Sequence, residues 1–259
     1  MFNDWFSIGP FTVHGYGFFI AVGVLTGLWL ACHRAKKKGL NDDICFGLVL
    51  VAVFFGVIGA KLLYMIVEWR DLLKDPISVI ASSGFVVVGG LTVGMIAIFV
   101  YCRIKKVDGL TYFEHCLPSV PLGQAFGRIG CFMAGCCYGK ETTCPIGITF
   151  TNSHFAPNHV KLLPTQLFSA GANFLHVIVL LLIARKVKKK GILTGCYFIF
   201  YSIGRFIIEL FRDDPRGSVG ALSTSQFYGI FMLAFGIFMV VWGLKHKEKT
   251  QDEAIQERG

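Results

Sequence analysis

Charge is scarce in this chain. Asp, Glu, Lys and Arg make up 16% of its 259 residues, against about 25% in soluble domains. Residues Met1–Pro10 contain no Lys or Arg, so the basic start of a cleaved signal peptide is missing and Phe6–Cys32 is expected to stay as a permanent helix. No segments of ~10 residues alternate apolar with polar, which argues against a transmembrane β-barrel. There is no CxxC pair, no short-period repeat and no sign of a soluble second domain. What fills the chain instead is apolar: 54% of residues belong to the AVILMFWYC set and the mean hydropathy is +0.62. That composition excludes a water-soluble globule and a disordered chain. The net charge of +9 does not point to nucleic acid, because the cations sit in short blocks between apolar runs.

A bilayer core takes about 20 apolar helical residues. Runs free of Asp, Glu, Lys and Arg are Phe6–Cys32, Phe46–Ala60, Pro76–Cys102, Cys116–Gly127, Leu162–Ala184, Gly191–Gly204 and Gly217–Leu244. Three of them end at one cation inside an otherwise apolar pattern: Lys61, Arg128 and Arg205. Reading through those cations predicts an all-α polytopic membrane protein with seven transmembrane helices, near 13–33, 44–66, 84–102, 115–138, 165–185, 192–211 and 224–244. Basic blocks follow the first, third, fifth and seventh of these and hold 16 of the 25 Lys and Arg. The positive-inside rule then sets the N-terminus outside and the C-terminus in the cytoplasm. An even helix count would break that agreement. Residues 1–244 are read as one transmembrane domain with a small external cap near 139–163, and 245–259 as a charged cytoplasmic tail.

An ionisable residue within a span costs at least ~2.5–3.5 kcal/mol and is usually functional. Arg128 lies 14 residues beyond Glu114 and Arg205 lies 15 beyond Lys190, about 21 and 22 Å from the inner face at helical rise. Lys61 and Tyr16 are each 18 residues from the nearest inner-face charge, Asp43 and Arg34, or about 27 Å. Cations from three helices at similar depth suggest a shared anionic partner. In YSIGRFIIELFRDD, Arg205, Glu209 and Arg212 share one helical face that Tyr201 extends; Glu209 is placed to steady Arg205. A structural ion pair is the plain alternative, and snorkelling to the interface would explain Arg212. In GQAFGRIGCFMAGCCYGK, Gly123, Gly127 and Cys131, then Gly130 and Ala134, recur at a spacing that permits close helix packing. The same small residues leave room for a headgroup beside Arg128. Gly89 and Gly90 open the third helix. His14, beside Tyr16, reads first as an interfacial anchor. Cys131, Cys136, Cys137 and Cys144 cluster at the outer end of the fourth helix; disulfides among them, a zinc site of unusual spacing, or small space-filling side chains all remain open.

With those motifs in hand, the chain resembles the bacterial prolipoprotein diacylglyceryl transferase family, from about Ile8 to Trp242. GRIGCFMAGCCYGK at 127–140 is similar to the family signature; HGYG at 14–17, GAKLLY at 59–64, VGGLTVG at 88–94, LPTQLF at 163–168 and YSIGRFIIELFR at 201–212 agree in order. The resemblance implies transfer of the diacylglyceryl group of phosphatidylglycerol to the lipobox cysteine of a secreted prolipoprotein, in the bacterial plasma membrane, with no cofactor and no metal. It implies catalytic roles for Arg128, Arg205 and Tyr16. Lipid-binding roles fall to Arg128, Arg205, Lys61, Gly89, Gly90, Cys131, Gly139, Gln166 and Glu209. The sequence departs from the family at Val88, where a His serves as a proposed base, at Cys131, where Asn is usual, and at Lys61, where Arg is usual. His14 is the candidate base in place of the missing His. Competing expectations are a diverged member that binds anionic phospholipid without transferring it, an anion transporter, and a membrane thiol–disulfide protein.

Overall fold

The computed structural model describes residues 4–8, 11–82, 84–187, 189–214, 218–220 and 222–245. The expected tail past Lys245 lies outside them. The chain is helical: α1 (Gly15–Lys38), α2 (Asp42–Val67), α3 (Trp69–Lys74), α4 (Pro76–Ala81), α5 (Val87–Ile104), α6 (Gly109–Cys116), α7 (Ser119–Ala134), α8 (Thr165–Lys186), α9 (Ile192–Glu209) and α10 (Thr224–Lys245). Among the described residues, short strands pair antiparallel: β1 (Asp4–Ile8) with β2 (Phe11–His14), β3 (Ile148–Thr149) with β4 (Lys161–Leu162), and β5 (Ser218–Val219) with β6 (Leu222–Ser223).

Among the described residues, six helices are long and apolar enough to cross a bilayer: α1, α2, α5, α8, α9 and α10. They turn Leu25, Trp29, Phe54, Leu91, Leu175 and Phe231 outward, as lipid-facing helices do. The chain is a multi-pass membrane protein. The expected helix over 115–138 is interrupted. Residues 117–118 form a turn, and α7 keeps 16 residues, about 24 Å of helix. Pro118 lacks the amide proton that would continue α6, and Gly135 ends α7 in the left-handed region at φ 75°, where glycine carries no Cβ penalty. The depth of Arg128 therefore cannot be counted along one helix from Glu114. The first helix starts at Gly15 rather than 13 because Phe11–His14 pairs as a strand. The sixth stops at Glu209 rather than 211.

Two compact units divide the chain, one of residues 1–30 with 117–259 and one of 31–116. In the second, Asn41 caps α2 through the amides of Asp43 and Ile44, satisfying donors that the helix leaves unpaired. Arg34 donates from Nη1 to the His115 carbonyl at 2.8 Å. His115 is buried, and that burial, with Arg34 beside it, pushes its imidazole down to about 4. The folded chain thus resists protonating it. The associated stability is full above the ordinary histidine pKa near 6.5 and is lost as pH falls from there through 4. Thermal unfolding in detergent is expected to move to lower temperature over that window, and His115→Gln is expected to flatten the slope.

α2 and α5 meet backbone to backbone. A Cβ at Gly59 would lie 2.5 Å from the Gly89 carbonyl oxygen and 2.5 Å from Val93 Cβ; one at Gly89 would strike the Gly59 oxygen and Leu63 Cβ. Gly90 faces the Gly56 oxygen at 2.7 Å in the same sense. Gly89→Ala is expected to push the pair apart and destabilise by about 1–3 kcal/mol, seen as a lower unfolding temperature in detergent.

Candidate active site

The larger unit assembles its site from the ends of α7, α8, α9 and α10 and the loop after α7. Gly23 of α1 packs so closely on α7 that a Cβ there would lie 3.0 Å from the Gly123 oxygen; a Cβ at Gly130 would lie 3.0 Å from the Tyr16 oxygen. Gly123 and Gly130 therefore serve the α1–α7 contact. Gly127 faces open space, which leaves room beside the next residue, Arg128. Phe126 meets Phe174 of α8 edge to face at 5.6 Å.

Arg128 directs Nη1 to the Cys137 sulfur at 3.6 Å. Arg205 is held on two sides: its Nη2 lies 3.0 Å from Glu209 Oε2, one turn along α9, and donates to Ser225 Oγ of α10 at 2.7 Å. The Arg205 and Glu209 side chains are 14% and 6% exposed. In that shelter a charge-assisted pair is stronger than at the surface. Arg205 lies within electrostatic reach of Arg128, and Tyr201 within reach of both. Two such cations near one another favour a shared anion.

Arg212 is placed differently from its expected position. The helix has ended by then, so it does not continue the α9 face. It is buried rather than snorkelling, with Nε and Nη2 each 2.9 Å from the two carboxylate oxygens of Asp214. Burial pushes the Asp214 carboxyl above the usual carboxylate range despite that partner. Arg212 also pairs with Gly139 as an isolated bridge, and the Lys140 amide donates to the Phe211 carbonyl at 2.9 Å.

The loop after α7 is knitted to the start of α8. Gly139 donates to the Leu163 carbonyl at 3.0 Å, Thr165 Oγ1 to the Cys137 carbonyl at 2.8 Å, and Gln166 Nε2 to the Cys136 carbonyl at 2.8 Å. Gln166 is 1% exposed, so it acts here on the loop backbone. Phe150, Ala156 and Leu162 form a small core over Phe132 and Tyr138. Cys131, Cys136 and Cys137 bring their sulfurs within 4.8 Å of one another, and none of the nine cysteines forms a disulfide. Tyr16 lies within electrostatic reach of Arg128 and of this cluster.

The structure thus gathers Tyr16, Arg128, Cys131, Gly139, Gln166, Arg205 and Glu209 within one unit. Lys61, Val88, Gly89 and Gly90 belong to the other. There Lys61 donates from Nζ to the carbonyls of Ser82 at 2.6 Å and Gly84 at 3.4 Å and lies over the Tyr64 and Phe85 rings. His14 stands exposed at the end of β2. Ser225 and Asp214 were not among the expected site residues. Ser225 carries no local signal, whereas Asp214 was legible as the acid that follows Arg212 two residues on.

The family model for prolipoprotein diacylglyceryl transferase matches residues 3–242. A phosphatidylglycerol–prolipoprotein diacylglyceryl transferase of Clostridium tetani is 44% identical over 235 residues, covering 90% of this chain and 94% of its own. One from Clostridium perfringens is 41% identical, covering 93% and 95%. One from Bacillus cytotoxicus is 33% identical, covering 97% and 94%. Nearly the whole length is shared in each case, spans and loops together, and the chain belongs to the prolipoprotein diacylglyceryl transferase family.

Proposed function

We propose that this protein transfers the diacylglyceryl group of phosphatidylglycerol to the lipobox cysteine of prolipoproteins, the first step of lipoprotein maturation. The observation that carries the reading is that one compact unit holds both Arg128 and Arg205, with Arg205 clamped by Glu209 and Ser225. A guanidinium offers a planar fork to phosphate oxygens. Two of them hold the phosphodiester while negative charge builds on the departing glycerol phosphate. The nucleophile is the substrate's own sulfur, which forms a thioether as the carbon–oxygen bond breaks.

The test is a vesicle of phosphatidylglycerol containing the purified protein and a lipobox peptide. Mass spectrometry is expected to show one diacylglyceryl group on the peptide cysteine. A peptide of unchanged mass overturns the reading and favours a lipid-binding relative without transfer. Glu209→Gln leaves Arg205 less firmly oriented. About a tenfold fall in turnover is expected, ~1.4 kcal/mol of transition-state stabilisation.

A further inference from the structure

We propose that Cys131, Cys136 and Cys137 hold one zinc ion whose fourth position receives the substrate thiol as a thiolate. The inference rests on the transferase reading for its substrate, and on the fold for the site. The sequence spacing matches no standard zinc pattern, yet the backbone makes one. Cys131 lies in the last turn of α7; Gly135 at φ 75° and Cys137 at φ 62° reverse the chain, so the next two sulfurs return over the helix end. The three sulfurs lie within 4.8 Å of one another. Thiolates sharing a tetrahedral ion at ~2.3 Å stand about 3.8 Å apart, an adjustment within rotamer reach.

The surroundings fit a catalytic rather than a structural site. Three protein ligands and an open position are the catalytic arrangement, and all three cysteines are partly exposed. The backbones of two ligands are fixed by Thr165 and Gln166, the outer support that orients metal ligands. Three thiolates on Zn²⁺ leave one negative charge, and Arg128 Nη1 sits 3.6 Å from the Cys137 sulfur to offset it. A zinc-bound thiol needs no separate base, because coordination deprotonates it. The incoming thiol gives its proton to water on binding zinc. Its sulfur pair then forms the bond to the glyceryl carbon. The carbon–oxygen bond breaks with its pair going to the phosphate oxygen, and the neutral thioether leaves the zinc, which stays Zn²⁺ throughout.

Purified full-length protein in phosphatidylglycerol nanodiscs, loaded with Zn²⁺ or Co²⁺, tests this. One metal per chain and a sulfur-to-cobalt charge-transfer band are expected. A lipobox peptide should change that band, and the same peptide with serine for cysteine should not. Cys136→Ser and Cys137→Ser should lose the band, with transfer down about 10²-fold; Cys144→Ser should keep both. Absence of the band in the native chain, or a band indifferent to the peptide thiol, overturns the site. Full-rate transfer by metal-free protein also overturns it while leaving the transferase reading intact. A band that responds to the peptide without any mass gain supports the site and sinks the transferase reading.

Discussion

Arg128→Ala and Arg205→Ala are each expected to lower diacylglyceryl transfer by about 10²–10³-fold, the usual effect of removing one preorganised donor from developing negative charge. The two arginines are held differently, so their variants should differ in kind. Arg205 is fixed by Glu209 at 3.0 Å and Ser225 at 2.7 Å. Its removal takes the Arg205 ion pair from the Glu209 carboxylate, which is 6% exposed; a protein-stability loss should accompany the kinetic one. Arg128 contacts the Cys137 sulfur at 3.6 Å, and its loss should act mainly on turnover. Arg205→Lys should recover little, because an ammonium cannot reproduce the planar fork. Turnover of the two alanine variants in phosphatidylglycerol vesicles decides the matter. Native rates in both would remove the arginines from the reaction.

Gly139→Ala should be nearly as damaging, through geometry. A Cβ at Gly139 would lie 2.7 Å from the Leu163 oxygen, 2.7 Å from Thr165 Cγ2 and 2.8 Å from Leu163 Cβ. Its amide already donates to that same oxygen at 3.0 Å. The methyl group cannot be accepted by turning a side chain, because backbone stands in its way. The loop must move off the start of α8, carrying with it Cys136, Cys137 and the Arg212 bridge. A misplacement near 1 Å costs about 10²-fold in rate. Transfer should fall by about that factor while the helices keep their circular dichroism. A variant with native turnover would show that the loop does not position the site.

Local sums were legible without coordinates. The apolar runs around Lys61 and Arg205 marked membrane helices, because burying backbone in lipid demands about 20 apolar residues whatever their neighbours. The GRIGCFMAGCCYGK and YSIGRFIIELFR segments identified the family, since motif order is written along the chain. The α6–α7 interruption was less legible, because an apolar run continues across the turn at 117–118. The end of α9 at Glu209 was missed for a similar reason, because Leu210 and Phe211 are apolar enough to extend the helix on hydropathy alone.

Composition and residue order were enough for the membrane class, most of the spans and the family, since each is written along the chain. Packing decided the rest. Whether Gly89 meets lipid or the Gly59 backbone, whether Lys61 reaches carbonyls, and whether three cysteines share a few ångströms depend on which elements face each other. Contacts of that kind form between residues distant in sequence, and only the folded chain brings them within bonding range.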